Sequence, residues 1–248
     1  MNMAKDSETL VERLKTFWKA TKGLNKKIDR PTFSEDVQAS RRRKGNPLVR
    51  WFNSLPHLHL PDGMIPDYYH SGTCHGSIPV LYARKKGSAR LKDYCGYYLD
   101  GQKTEGMPLM EAVIPEKSME GIWELLLLDE MGGQFALHWH AGYNLLRILY
   151  DWSEFFTEKT YAGLPDDWEC LFDDTSAAIS EEERRELRSW DIAPYIKMKN
   201  DRAIAYYCVF TPFGGFFKVR RTVILSPELE IKKPVILKEV KYDCGVIY

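Results

Sequence analysis

The chain has 248 residues, 44% hydrophobic and 13% aromatic, enough apolar side chain to bury a core and to exclude global disorder. Lys and Arg number 35 and so do Asp and Glu, and a net charge of zero speaks against a chain built as a whole to coat nucleic acid. The longest aliphatic run, Leu125 to Leu128, is too short to cross a bilayer.

Five cysteines at 74, 95, 170, 208 and 244 make an odd count with no CxxC pair, so reduced thiols are expected. No basic segment followed by an apolar stretch opens the sequence, so no secretory signal is read there. Together these features predict a soluble, cytoplasmic protein. The neutrality is uneven: residues 1–50 carry +7, 51–150 carry −3, 151–191 carry −9 and 192–248 carry +5. A basic arm and an acidic middle can pair within one chain or between copies.

Leu10, Leu14, Phe17, Trp18 and Thr21 recur at helical spacing and predict an amphipathic helix over 7–22, capped by Ser7 or Thr9 and stopped by Gly23. Residues 24–46 are polar and basic, and Asn46-Pro47 marks a turn before one or two helical turns closed by Pro56. Residues 56–77, with four of the six histidines, read as a long loop. Strands are predicted at 80–83, 94–99 and 109–114.

A hairpin is predicted next, with strands 122–129 and 134–140 joined at Gly132-Gly133. Residues 144–159 then take a helical period. Ser180-x-x-Glu183 is a capping box opening a helix to about Trp190. A second hairpin, 203–210 with 216–225, turns at Gly214-Gly215, and 235–240 adds a last strand. These elements predict an α+β fold: a mainly antiparallel sheet built from hairpins, an N-terminal amphipathic helix and a central helix packed on the sheet. Residues 1–55 read as a helical basic arm, and 56–248 as an α+β domain forming one compact unit.

Four groups of residues could carry chemistry. His138-Trp139-His140, on a strand, would point both imidazoles to one face at a spacing that can chelate zinc or iron. Glu124 would complete the set if the hairpin loop holds three residues and not two, and His57 or His59 could close it. Cys74, beside His75, is a candidate nucleophile, given a base from elsewhere in the fold. Arg41, Arg42, Arg43 and Lys44 form a basic run that could contact phosphates. Asp166, Asp167, Trp168, Asp173 and Asp174 form an acidic stretch whose aromatics could anchor a basic partner while its charges steer.

No nucleophile elbow, phosphate-binding loop or dinucleotide fingerprint occurs. The leading expectation is therefore a non-catalytic interaction protein, of accessory or immunity type, that uses the acidic aromatic surface toward a basic partner or another copy of itself. A metal-dependent enzyme with a His-x-His site is the alternative, and a nucleic-acid-associated protein using the basic arm is the second.

Overall fold

The computed structural model describes residues 3–28, 45–73, 76–91, 94–95, 106–139, 145–152, 180–211 and 214–241. The fold is α+β with mainly antiparallel sheets. Its contacts group into two compact units, Glu12–Gly142 and Met1–Val11 with Tyr143–Tyr248. The 55/56 boundary expected from composition falls inside the first.

The first helix, α1 (Met3–Asn25), buries Leu10, Leu14, Phe17 and Thr21 of the expected stripe and leaves Trp18 half-buried; it runs past the expected stop at Gly23 and buries Leu24 as well. Thr9 lies inside the helix and caps nothing: its hydroxyl donates to the Lys5 carbonyl at 3.1 Å. In the Glu12–Gly142 unit, α2 (Pro47–Phe52) starts at Asn46, whose side chain accepts from Leu48 N–H while its amide donates to the Pro66 carbonyl. Pro47 fits the first turn, where its missing N–H would have no partner. Trp51 ties α2 to α1: its indole donates to Thr21 Oγ1 at 3.0 Å, and its ring sits 5.6 Å from Phe17 and 6.1 Å from Phe135.

Strand β1 (Leu58–His59) is followed by β2 (Met64–Thr73) and β3 (Gly76–Lys85), an antiparallel pair in register from Met64↔Lys85 to Thr73↔Gly76. On this pair assemble β4 (Tyr94–Cys95), β5 (Met107–Pro108) and, later, β7 (His138–Trp139). Between them lie α3 (Leu109–Ala112), β6 (Ile114–Pro115) and α4 (Met119–Met131). The fully buried Asp67 of β2 receives Arg84 Nε at 2.7 Å and both Nε and Nη2 of Arg90, at 2.9 and 2.7 Å. Arg90 also donates to the Gly45 carbonyl and Arg84 to that of Ser88, so one carboxylate fixes the hairpin to two loops.

The other unit contains β8 (Arg147–Leu149), α5 (Glu181–Arg188), β9 (Tyr195–Met198), β10 (Arg202–Thr211), β11 (Gly215–Ile224), β12 (Glu230–Ile231) and β13 (Val235–Val240). β10 is central, with β11 along one edge and β8 and β9 along the other. β12 and β13 both pair with the outer edge of β11. The capping box forms as expected: Ser180 Oγ accepts from Glu183 N–H, and the Glu183 carboxylate accepts from Ser180 N–H. α5 buries Leu187 among Leu149, Trp190, Cys208, Phe210 and Phe216.

Four expectations are corrected. Residues 122–129 are not a strand of a hairpin with 134–140; they lie within α4, capped by Ser118, whose hydroxyl accepts from Gly121 N–H at 3.0 Å. Every position from Gly121 to Leu128 is buried, so the helix shows no polar face and its run of leucines mimics a buried strand. The central helix is therefore 119–131; within the stretch predicted helical at 144–159, residues 147–149 form β8. The supposed loop at 56–77 is mostly β1 and β2, because Pro66 to His70 are buried in succession and leave no alternation to read. Residues 109–112, expected in a strand, form α3.

Candidate functional site

β1 and β6 pair antiparallel with Leu58 opposite Pro115 and His59 opposite Ile114. Continuing that register sets His57 against Glu116, and Glu116 N–H donates to the His57 carbonyl at 2.9 Å. The Glu116 carboxylate then reaches both rings of His57-Leu58-His59: Oε2 is 2.8 Å from His57 Nδ1 and Oε1 is 3.2 Å from His59 Nε2. Alternation along the strand puts both imidazoles on one side while Leu58 is buried. These hydrogen bonds hold the Glu116 pKa below its ordinary 4.5.

Beneath this half-exposed cluster lies Glu124, fully buried on α4. Its Oε2 accepts the His57 backbone N–H at 2.8 Å. Its Oε1 has no hydrogen-bond partner among the described residues, and Arg13 Nε stands 3.7 Å away. Burial pushes the Glu124 pKa up, against the lowering pull of the His57 N–H and the Arg13 charge. The Glu116 and Glu124 carboxylates thus clasp β1, α4 and α1 together.

Of the residues expected at a metal centre, the rings of His57 and His59 meet on Glu116, while Glu124 meets only the His57 backbone N–H. Glu124 is not across a hairpin from His140, because its segment is helical. His138 lies on β7 with its backbone opposite Ser77; its side chain is outside the described residues, as is His140. No group of three or more His, Cys, Asp or Glu among the described residues is arranged to hold a metal ion. Cys74, the run Arg41 to Lys44, and Asp166, Asp167, Trp168, Asp173 and Asp174 also lie outside the described residues.

No family model, curated protein or solved structure matches this chain. The reading of function therefore rests on its own residues. None of the described helices is long and apolar enough to cross a membrane.

Sequence reasoning missed two features. Glu116 carries no motif; only the β1–β6 register places it between the histidines. The second is the exposed apolar surface of β13, a strand the sequence did predict: Val235, Ile236 and Leu237 are 44%, 55% and 43% exposed in succession. Among the described residues this strand pairs with β11 alone, so its far edge offers unpaired backbone groups. A register shift against Lys218 and Val219 leaves Leu237 out of the ladder. Lys232, Lys233, Lys238 and Lys241 flank the apolar triplet. A recess of about 200 Å³ between α1 and α2 is a smaller feature, with Leu24 and Trp51 inside and Lys27 and Arg50 exposed around it.

Proposed function

We propose that this protein is a non-catalytic interaction protein whose outer strand β13 adds an extended, acidic, apolar-bearing segment of another polypeptide. The observation that carries the reading is the exposed Val235-Ile236-Leu237 triplet on an edge strand flanked by lysines. Soluble proteins normally blunt such an edge, and three adjacent apolar side chains left open are the mark of a surface that is covered in use. Strand addition supplies backbone hydrogen bonds, and side chains on alternate positions supply selectivity.

Lys232 pairs with Glu230, and the exposed Lys233, Lys238 and Lys241 select for negative charge. The chain's own residues 166–174, with Asp166, Asp167, Asp173 and Asp174 around Trp168, Leu171 and Phe172, have the matching chemistry. Self-association of two copies is the simplest form of this reading.

A synthetic peptide with the sequence of residues 162–176, titrated into the full chain, tests it. Binding is expected at low salt, weakening as salt is raised, and lost in an Ile236→Lys/Leu237→Lys variant with an unchanged melting temperature. Absence of binding at low salt, or equal binding by the double variant, overturns it.

A further inference from the structure

The six-stranded sheet has two unlike faces. On one, Ala203, Ala205, Tyr207, Val219 and Val223 are buried along the whole length. The other is buried only at one end, where Cys208, Phe210 and Phe216 meet Trp190 and Leu187. Beyond that cluster the same face continues through Tyr206 and Ile204 on β10, Arg220 and Thr222 on β11, and Tyr195 and Lys197 on β9, all at least partly exposed.

The register makes this open end an ordered array. Tyr195, Tyr206 and Arg220 form one row across three strands, and Lys197, Ile204 and Thr222 form the next. The two tyrosine rings are stacked, with centroids 4.5 Å apart and planes within 10°. Lys197 Nζ lies 5.6 Å from the centre of each ring. Tyr206 thus has Arg220 beside it in the same row on β11 and Lys197 reaching its ring from the next row on β9.

Neighbouring carboxylates are engaged elsewhere: Asp201 pairs with Arg202, and Glu230 pairs with Lys232. Neither Lys197 nor Arg220 is ion-paired with a carboxylate among the described residues. Residues 195–241 carry ten Lys or Arg and four Asp or Glu, a surplus of positive charge that the zero total conceals.

We propose that this open sheet face is a binding platform for single-stranded nucleic acid, with bases stacking on Tyr195 and Tyr206 and phosphates engaging Lys197 and Arg220. A sheet face with partly exposed aromatics gives every base a π surface, and flanking cations follow the backbone without reading sequence. Duplex DNA hides its base faces, so the platform discriminates against it. Uniform positive charge alone would attract any polyanion and would not need the tyrosines. The inference stands apart from the strand-addition reading, because none of these four residues lies on β13.

The test is fluorescence anisotropy of a labelled 12-nucleotide oligodeoxythymidine with the full chain at low salt, beside a duplex of the same length. The single strand is expected to bind at least tenfold more tightly than the duplex, with affinity falling as salt rises. Tyr206→Leu is expected to lower affinity about tenfold, the scale of one base–aromatic stack. Lys197→Gln/Arg220→Gln, at exposed positions where folding is preserved, is expected to weaken binding and flatten its salt dependence.

Absence of binding at low salt overturns the proposal. So does equal affinity for the duplex, competition by polyglutamate as strong as by unlabelled oligonucleotide, or unchanged affinity in the Lys197→Gln/Arg220→Gln variant. The Ile236→Lys/Leu237→Lys variant, which tests the strand-addition reading, is expected to leave oligonucleotide binding no weaker.

Discussion

The backbone N–H of His57 donates to the buried carboxylate of Glu124 across 2.8 Å, joining residues 67 positions apart in the chain. This bond anchors the start of β1 on α4. It also explains why a carboxylate is tolerated in a helix otherwise buried with apolar side chains. Glu124→Ala leaves that N–H without its acceptor and opens a void. It is expected to destabilise the fold by about 2–4 kcal/mol, measured by urea denaturation.

Glu124→Gln keeps an acceptor and removes the charge. Burial raises the folded-state pKa of Glu124 above its unfolded value. Its contribution to stability is therefore full below the unfolded pKa and is lost as pH rises through the folded one. The Gln variant should gain in melting temperature relative to the natural chain as pH is raised from 4 to 7. A difference that stays constant across that range would refute the assignment.

Glu116 behaves in the opposite sense. Its folded pKa is lowered, first by the hydrogen bond from His57 and then by that from His59. Its contribution is present above the unfolded value near 4.5 and is lost as pH falls through the folded value. Glu116→Gln should be slightly less stable than the natural chain at neutral pH, and the gap should close in acid. Thermal melts at successive pH values read this directly, and the effect is small because the group is exposed to solvent.

Gly121 supports the same clasp from below. A Cβ added there would fall on the Glu116 carbonyl oxygen. Gly121→Ala should displace Glu116 and destabilise the protein by about 1–3 kcal/mol. It should also abolish the pH-dependent gap seen with Glu116→Gln, which a remote packing defect would leave intact.

Asp67 is the sole carboxylate between Arg84 and Arg90 in the described network. Removing it strands Arg84, itself only 7% exposed, without a counter-charge. Asp67→Ala is expected to cost about 3–5 kcal/mol in chemical denaturation. Arg90→Ala should cost less, because Arg84 continues to neutralise the carboxylate.

Cys208 is fully buried on β10, and burial pushes its thiol pKa up to about 12. In the native protein it should resist iodoacetamide at pH 8, and it should be modified once urea unfolds the chain. Peptide mass spectrometry of Cys208 checks this. Labelling at the unfolded rate in native buffer would contradict its placement.

The sequence by itself determined the elements whose pattern is local. The α1 stripe from Leu10 to Thr21, the Ser180–Glu183 capping box, the β10–β11 hairpin and β13 were all legible, because spacing, cap chemistry and turn glycines are written in neighbouring residues. The same reading failed where burial removes the pattern. Leu125 to Leu128 sit in a helix surrounded on all sides, and Pro66 to His70 in a strand buried residue after residue, so neither shows its period.

The site divides in the same way. The sequence places His57 and His59 in a loop that could close a metal site and marks Glu124 as its carboxylate ligand; that the two histidines form a strand pair was not legible. That Glu116 joins the histidines, that Glu124 holds His57 from within a helix, and that Tyr195, Tyr206 and Arg220 fall in one row were decided only by tertiary structure. These relations depend on the register between strands and on packing between segments distant in the chain, and no local propensity encodes them.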